Sequence, residues 1–404
     1  MSNCFFRCHK CKTFYPIGLQ NTCKNCGGIL IVGYSDVFLK KARKKLKCKA
    51  KNGMWAYRAS LPPISDENIV TFQEGCTRLI PSISIGVKLG LSKLYFKDET
   101  SNPTGSFKDR SISVCVSMAK EFSCQGIVIS SSGNGAAAAA AYGTKGGMDT
   151  IIFIPENTPA GKVSQALAYG GTVVKVKGNF SKSYHAAVDT ARKERYMNVT
   201  TTFLNPFGLE GYKFISYEIF EQLKIVPDYI IIPVGDGPIL YGIYKGFDEL
   251  RRMGLLRKIP KLVCVQAKGC APISEAWMEN RKVTSCKTPK TVATAISDPL
   301  IGYEQDGDIT IEAIRAANGY GVVVEDADIL AAGRELAKEE GIFAEPSSAV
   351  ALAGLRELIN RNILRKDDSC VCLLTGHGLK DPGAYVGEDV DIPIIDTNYK
   401  KEDE

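Results

Sequence analysis

Histidine and tryptophan are scarce: three of the first (His9, His185, His377) and two of the second among 404 residues. So few imidazoles leave little room for a multi-histidine metal centre and argue against a Ser-His-Asp triad. No run of 18 apolar residues occurs, so no transmembrane helix is expected. Met1–Cys11 lacks the apolar stretch of a secretory signal, and a cytoplasmic protein is expected. A completed GxGxxG fingerprint and the Walker GxxxxGK[ST] pattern are both missing, which disfavours a nicotinamide site and an NTPase. Acidic residues are almost absent from the first 60 positions. Thirteen Lys/Arg face the single Asp36 there and leave +12, whereas residues 61–404 carry −5. Such a split raises the question of nucleic-acid binding. The basic stretch Lys40, Lys41, Arg43, Lys44, Lys45, Lys47 lacks interleaved aromatics and reads as a solvated face. Neither a nucleic-acid nor a membrane partner is expected.

The composition, 45% apolar and 24% charged, suits a globular chain with room for two or three domains. Ten of the fourteen cysteines are scattered through hydrophobic segments, as expected of thiols in a reducing compartment. The other four form two CxxC pairs, Cys8/Cys11 and Cys23/Cys26, separated by eleven residues. That spacing places four thiolates around one zinc and leaves no open coordination position, so the site is structural. A ribbon that has kept its cysteines without metal has the same sequence.

From about residue 80, short apolar runs alternate with helical patterns. The runs 93–98, 126–130, 150–155, 172–176, 229–234, 261–266 and 370–375 read as buried strands. Helices are expected at 111–122, 136–145, 162–169, 184–195, 211–223 and 329–341. This alternation predicts an α/β protein with two open, twisted, mostly parallel sheets flanked by helices.

Three loops end strands, where open α/β sheets bind ligands. Ser131-Ser132-Gly133-Asn134-Gly135 opens onto an alanine-rich helix and suits an anion at a helix N-terminus. Gly235-Asp236-Gly237-Pro238 follows YIIIPV, and its glycines allow close approach to a phosphate. Thr375-Gly376-His377-Gly378 could offer a hydroxyl to a ring nitrogen and glycines to a flat ring. A fourth segment, NPTGSFKDR, delivers Lys108 at the start of an apolar helix. Partial desolvation there disfavours the charged amine, as imine chemistry requires, although a surface lysine paired with Asp109 fits the spacing equally.

The segments NPTGSFKDR, SSSGNG, AGKVSQALAYGGTVVKVKGNF, GDGP, KTVATAI, EGIFAEPSSA and LTGHGLKDP together resemble the threonine synthase family over about residues 60–385. These are pyridoxal 5'-phosphate enzymes of the tryptophan synthase β fold, or fold type II, and the cysteine ribbon is similar to one found in family members. The resemblance implies that Lys108 carries the cofactor as an imine and shuttles the α-proton. It implies that Asn134 meets the 3-hydroxyl, Gly235, Asp236 and Gly237 the phosphate, and Thr375 the pyridine nitrogen. Ser131, Ser132 and the backbone near Gly135 would hold the substrate carboxylate. The implied organisation is a zinc-ribbon-like unit (1–34), a large domain in two segments (35–114 and 205–396), an inserted small domain (115–204) and a disordered tail (397–404). A homodimer is expected by the same resemblance.

The sequence departs from the family where O-phosphohomoserine's phosphate is bound. The family places a Thr after the loop Asn, and an Asn-Ser pair and an Arg in NSLNPxRLEGQK. Here those positions are Gly135, Thr202-Phe203 and Gly208. Losing one charge-assisted hydrogen bond costs about 1.5–3 kcal/mol, so affinity for that phosphate should fail unless Lys213, Arg110 or another cation substitutes. The expected reaction is elimination or replacement at Cβ or Cγ of a small L-amino acid through Lys108, with a less anionic substrate. Threonine synthase proper, a serine/threonine ammonia-lyase and a cysteate-synthase-type β-replacement enzyme are the alternatives.

Overall fold

A computed structural model describes residues 3–46, 50–178, 180–193 and 195–385. Lys47, the end of the second large-domain segment and the tail expected at 397–404 lie outside the described residues.

The ribbon is a three-stranded antiparallel sheet in which Cys4–Cys8 pairs with both Phe14–Tyr15 and Leu30–Tyr34. Alternation along these strands turns Phe6, Val32 and Tyr34 inward. Phe6 reaches the body of the protein and packs against Phe207 at 5.4 Å between ring centroids. Helix Asp36–Arg43 follows, its N-terminus capped by Ser35 Oγ, which accepts from the Phe38 amide at 3.2 Å. Lys40, Lys41, Lys44 and Lys45 point into solvent, as expected of a solvated basic face.

The body contains two sheets. Six strands run in the order Tyr320–Val324, Lys261–Ala267, Tyr229–Pro233, Cys370–Leu374, Leu94–Asp98, Leu79–Pro81, all parallel except the last at the edge. Four more run Thr172–Val176, Asp149–Pro155, Gly126–Ser130, Tyr196–Asn198, all parallel. The central strands are apolar along their whole length because helices cover both faces. Thr172–Val176 corrects the expectation of a buried strand: it lies at a sheet edge and is largely exposed. The helix expected at 211–223 is two helices, Gly208–Tyr212 and Phe214–Leu223.

Strand order in the larger sheet reverses between Tyr229–Pro233 and Cys370–Leu374, which sets three carboxyl ends side by side. The NPTGSFK turn follows Leu94–Asp98, the GDGP loop follows Tyr229–Pro233, and Thr375 follows Cys370–Leu374. Among the described residues no helix is long and apolar enough to cross a membrane. Among the described residues twelve cysteines are free, but Cys76 is disulfide-bonded and departs from the expected set of scattered thiols.

Candidate active site

Lys108 is the first residue of helix Lys108–Glu121. The turn before it is laced by backbone hydrogen bonds to the loop at Thr375–His377, which is laced in turn to Glu345. Phe107 donates to the Thr375 carbonyl at 3.0 Å, His377 to Gly105 at 2.9 Å and Glu345 to Gly376 at 3.0 Å. The segment bearing Lys108 is thereby fixed to the segment bearing Thr375, which is itself buried.

The Lys108 ammonium is half-buried and donates to Thr201 Oγ1 at 2.8 Å, with the Phe107 ring 4.8 Å away. Desolvation pulls its pKa below the ordinary lysine value, opposed by the fields of Asp236, Asp298 and Glu345. The direction suits a nucleophilic amine. Asp109 is not its partner. That buried carboxylate accepts from Thr104, through the amide at 2.7 Å and the hydroxyl at 2.5 Å.

Asn134 starts helix Asn134–Gly146 and donates to Glu345 Oε1 at 2.9 Å. Burial raises the Glu345 carboxyl to about 7 against that hydrogen bond. Gly376 lies flat against this pair, because a Cβ there would stand 2.2 Å from Glu345 Oε1. Ser131 and Ser132 are half-buried at the mouth of the same loop. Gly135 packs on Ser131, leaving 3.0 Å between a built Cβ and its Oγ.

Asp236 stands at the start of the GDGP loop's helix, Pro238–Arg252, with Pro238 in the first turn. Gly237 has φ +113°, and a Cβ there would lie 1.8 Å from Thr310 Oγ1. Only glycine fits, which leaves a bare cradle at a helix N-terminus. Burial, and then Asp298, raise Asp236 to about 7. Asp298 accepts from the Tyr303 hydroxyl at 2.7 Å, and Asp306 from the Phe203 amide at 3.2 Å.

The structure thus links Lys108, Thr375, Asn134 and the GDGP loop. It adds Thr201, Glu345 and Asp298, which sequence reasoning left without a role. Glu345 lay within the family-like EGIFAEPSSA segment, while Thr201 and Asp298 carried no local signal. The arrangement fits a phosphorylated flat ring: an amine at one end, a glycine cradle on a helix start, and a tight wall at Gly376.

The cations considered as substitutes for the missing arginine are engaged elsewhere. Arg110 is fully buried and forks onto Glu99 (2.6 Å) and Glu218 (2.6 Å), which also binds Lys97 at 2.7 Å. Lys213 is fully buried against Glu210 (2.7 Å), Glu249 (3.0 Å) and the Ser60 carbonyl (2.6 Å). A Cβ at Gly208 would sit 2.6 Å from Ser111 Oγ, so a side chain there requires that hydroxyl to turn aside. Lys380 lies at the rim, its Nζ donating to Gln165 Oε1, and forms no ion pair among the described residues.

The four ribbon sulfurs, of Cys8, Cys11, Cys23 and Cys26, lie within 4.8 Å of one another, a spacing compatible with one tetrahedral metal.

Comparison with known proteins identifies the family. Residues 70–376 match the family model described as pyridoxal-phosphate dependent enzyme. A threonine synthase of Methanocaldococcus jannaschii is 40% identical over 94% of this chain and 94% of its own. A threonine synthase of Methanosarcina acetivorans is 39% identical over 93% and 92%. In fold, the processed form of tomato (Solanum lycopersicum) threonine deaminase isoform 2 superposes with a TM-score of 0.66 at 22% identity, covering 88% of this chain and 95% of that one. Maize serine racemase gives 0.63 at 24% identity, covering 75% and 88%. A lysine on a helix start facing a glycine cradle, in a chain this similar to those relatives, places the protein in the threonine synthase family of pyridoxal-phosphate dependent enzymes.

Proposed function

We propose that the protein is a carbon–oxygen lyase of the threonine-synthase kind, eliminating or replacing a group at Cβ or Cγ of a small L-amino acid. Its substrate is not held by the family's phosphate contacts. The observation that carries this reading is the engagement of both Arg110 and Lys213 in buried ion pairs, beside a Gly208 that supplies no cation.

Bound pyridoxal phosphate supplies an electrophilic aldehyde carbon and an electron-accepting ring. Lys108, its Nζ oriented by Thr201, would hold the cofactor and take and return the substrate's α-proton. Gly235, Asp236, Gly237 and the helix start would hold the phosphate. Thr375 would face the pyridine nitrogen. Asn134 would offer the 3-hydroxyl the amide hydrogen that Glu345 leaves free. Ser131, Ser132 and the backbone at Gly135 hold the substrate carboxylate. The two sheets form a large and a small domain, and closure between them excludes water from the amine. Cys8, Cys11, Cys23 and Cys26 hold a structural zinc.

The test is a panel of O-phosphohomoserine, phosphoserine, O-acetylserine, serine and threonine, read by release of phosphate, acetate, ammonia or keto acid. Turnover of an unphosphorylated substrate, with the cofactor's visible band lost in Lys108→Ala, is the expected result. Rapid formation of threonine and phosphate from O-phosphohomoserine overturns the substrate reading.

That outcome is the second reading, threonine synthase proper. The name of relatives at 40% identity favours it, as does Lys380, a rim cation with no ion-pair partner among the described residues. On that reading Lys380→Gln raises KM for O-phosphohomoserine while leaving the cofactor band unchanged.

A further inference from the structure

The ribbon touches the body through a buried ring of charge. Tyr34 ends the ribbon strand Leu30–Tyr34, and its hydroxyl donates to Glu210 Oε2 at 2.5 Å. Lys213 and Lys245 stand 4.5 and 4.7 Å from the Tyr34 ring centroid. Lys245 also reaches Glu210 at 2.8 Å and Glu249, and Tyr217 donates to Glu249 at 2.8 Å. Two lysines and two glutamates, all buried, therefore balance beneath one phenol.

Glu210 belongs to the short helix Gly208–Tyr212, which begins seven residues after Thr201, the acceptor of the Lys108 ammonium. This helix has no slack against the Lys108 helix. A Cβ at Gly211 would fall 2.0 Å from the Arg110 carbonyl. Tyr212 packs its ring 5.1 Å from Phe107, with Lys108 Nζ 6.0 Å from its centroid. The four-cysteine cluster and Tyr34 occupy opposite ends of one ladder, since Cys8 pairs with Leu30 and Cys4 with Tyr34. A ladder of five residue pairs is too short to be stable by itself and needs fixing at its ends.

We infer that Tyr34 and Glu210 are positioning residues for Lys108: metal in the four-cysteine site fixes the ribbon ladder, and the ladder fixes the helix that backs the amine. The inference rests on the reading of Lys108 as the cofactor lysine. The ribbon is then a working part of the active site, and its metal content tunes the amine without touching substrate.

The test uses full-length holoenzyme and follows the visible band of the lysine-bound cofactor as pH is varied, together with zinc content and thermal melting. Chelating the zinc should shift the titration midpoint by about half a pH unit or more, and zinc should restore it. Tyr34→Phe, which removes one hydroxyl, should shift it in the same direction with zinc still bound. Chelation of Tyr34→Phe should then add little, because both act through one path. Glu210→Gln is the second variant should Tyr34→Phe not fold. Melting that falls while the midpoint stays fixed in the chelated protein and in the variant overturns the inference and leaves a purely structural ribbon. Additive shifts overturn it too. A wild type without the band, or Lys108→Ala with it, removes the reading on which the inference rests, and the inference with it.

Discussion

Arg110→Met separates a stability role from a substrate role. Arg110 follows Lys108 by two residues and could be mistaken for the missing phosphate ligand. Its guanidinium instead makes Nε and Nη2 contacts to Glu99 at 2.6 and 2.8 Å and Nη1 and Nη2 contacts to Glu218 at 2.6 and 2.7 Å. Methionine fills similar volume but leaves two buried carboxylates facing Lys97 alone. Removing one partner of such a group costs about 3–5 kcal/mol. An unfolding entropy of about 2.1 cal/mol/K per residue over 404 residues gives about 0.8 kcal/mol/K, so Tm should fall by about 4–6 °C. Arg110→Lys keeps the charge but loses the fork, and should recover only part of that loss. Burial opposes ionisation of Glu218, yet Arg110 and then Lys97 prevail and hold its carboxyl at about 2, below the ordinary 4.5. The pairing therefore contributes fully above 4.5 and fades as pH falls toward 2, so the gap between wild type and variant should narrow over that window. Differential scanning calorimetry across acid pH measures both effects. A variant that melts within about 1 °C of wild type while KM for a phosphorylated substrate rises would refute the assignment of Arg110 to the core.

Three further outcomes follow from the site. Gly237→Ala strains a backbone at φ +113° and drives a Cβ onto Thr310; cofactor affinity, read by titrating the visible band, should weaken about tenfold or more. Glu345 is raised by burial from 4.5 to about 7, so it penalises the fold as pH rises through that interval. Glu345→Gln should flatten that part of the Tm–pH profile of the cofactor-free protein, and an unchanged slope would contradict the burial. Gly208→Arg restores the cation of the family pattern once Ser111 Oγ, 2.6 Å from the new Cβ, has turned aside; KM for O-phosphohomoserine should fall, and an unchanged KM would show that the missing arginine is not what limits phosphate binding.

Strands were readable where burial was complete. Gly126–Ser130 and Tyr229–Pro233 are uninterrupted apolar runs because both faces of their sheets are covered, and the sequence marks them almost to the residue. Thr172–Val176 looked alike in composition yet lies at an edge, since a run of five residues carries no record of its neighbours. Helix Gly208–Tyr212 was missed at its start because its glycines read as breakers. They serve instead to let two helices touch. The loops holding Lys108, Asn134, Asp236 and Thr375 could be picked out because glycine and proline at strand ends have local causes. Their supports could not, since Asn134 meets Glu345 211 positions away and Arg110 meets Glu218 across 108.

Those distant pairings also decide what the net charge means for substrate choice. Four cations around the Lys108 helix, Lys97, Arg110, Lys213 and Lys245, are cancelled in two buried quartets by Glu99, Glu218, Glu210 and Glu249. The basic excess of the first 60 residues stands largely in solvent on the ribbon side. What remains unpaired around the candidate site, among the described residues, is Lys108 and Lys380 against Asp236, Asp298, Asp306 and Glu345. Burial raises the pKa of all four carboxyls, so the site takes up protons to limit its negative charge. A cofactor phosphate at the GDGP helix start uses the one built anion cradle. On the proposed reading, a second phosphate on the substrate would find only Lys380 at the rim, beside carboxyls that ionise as pH rises, and this supports a less anionic amino acid as substrate.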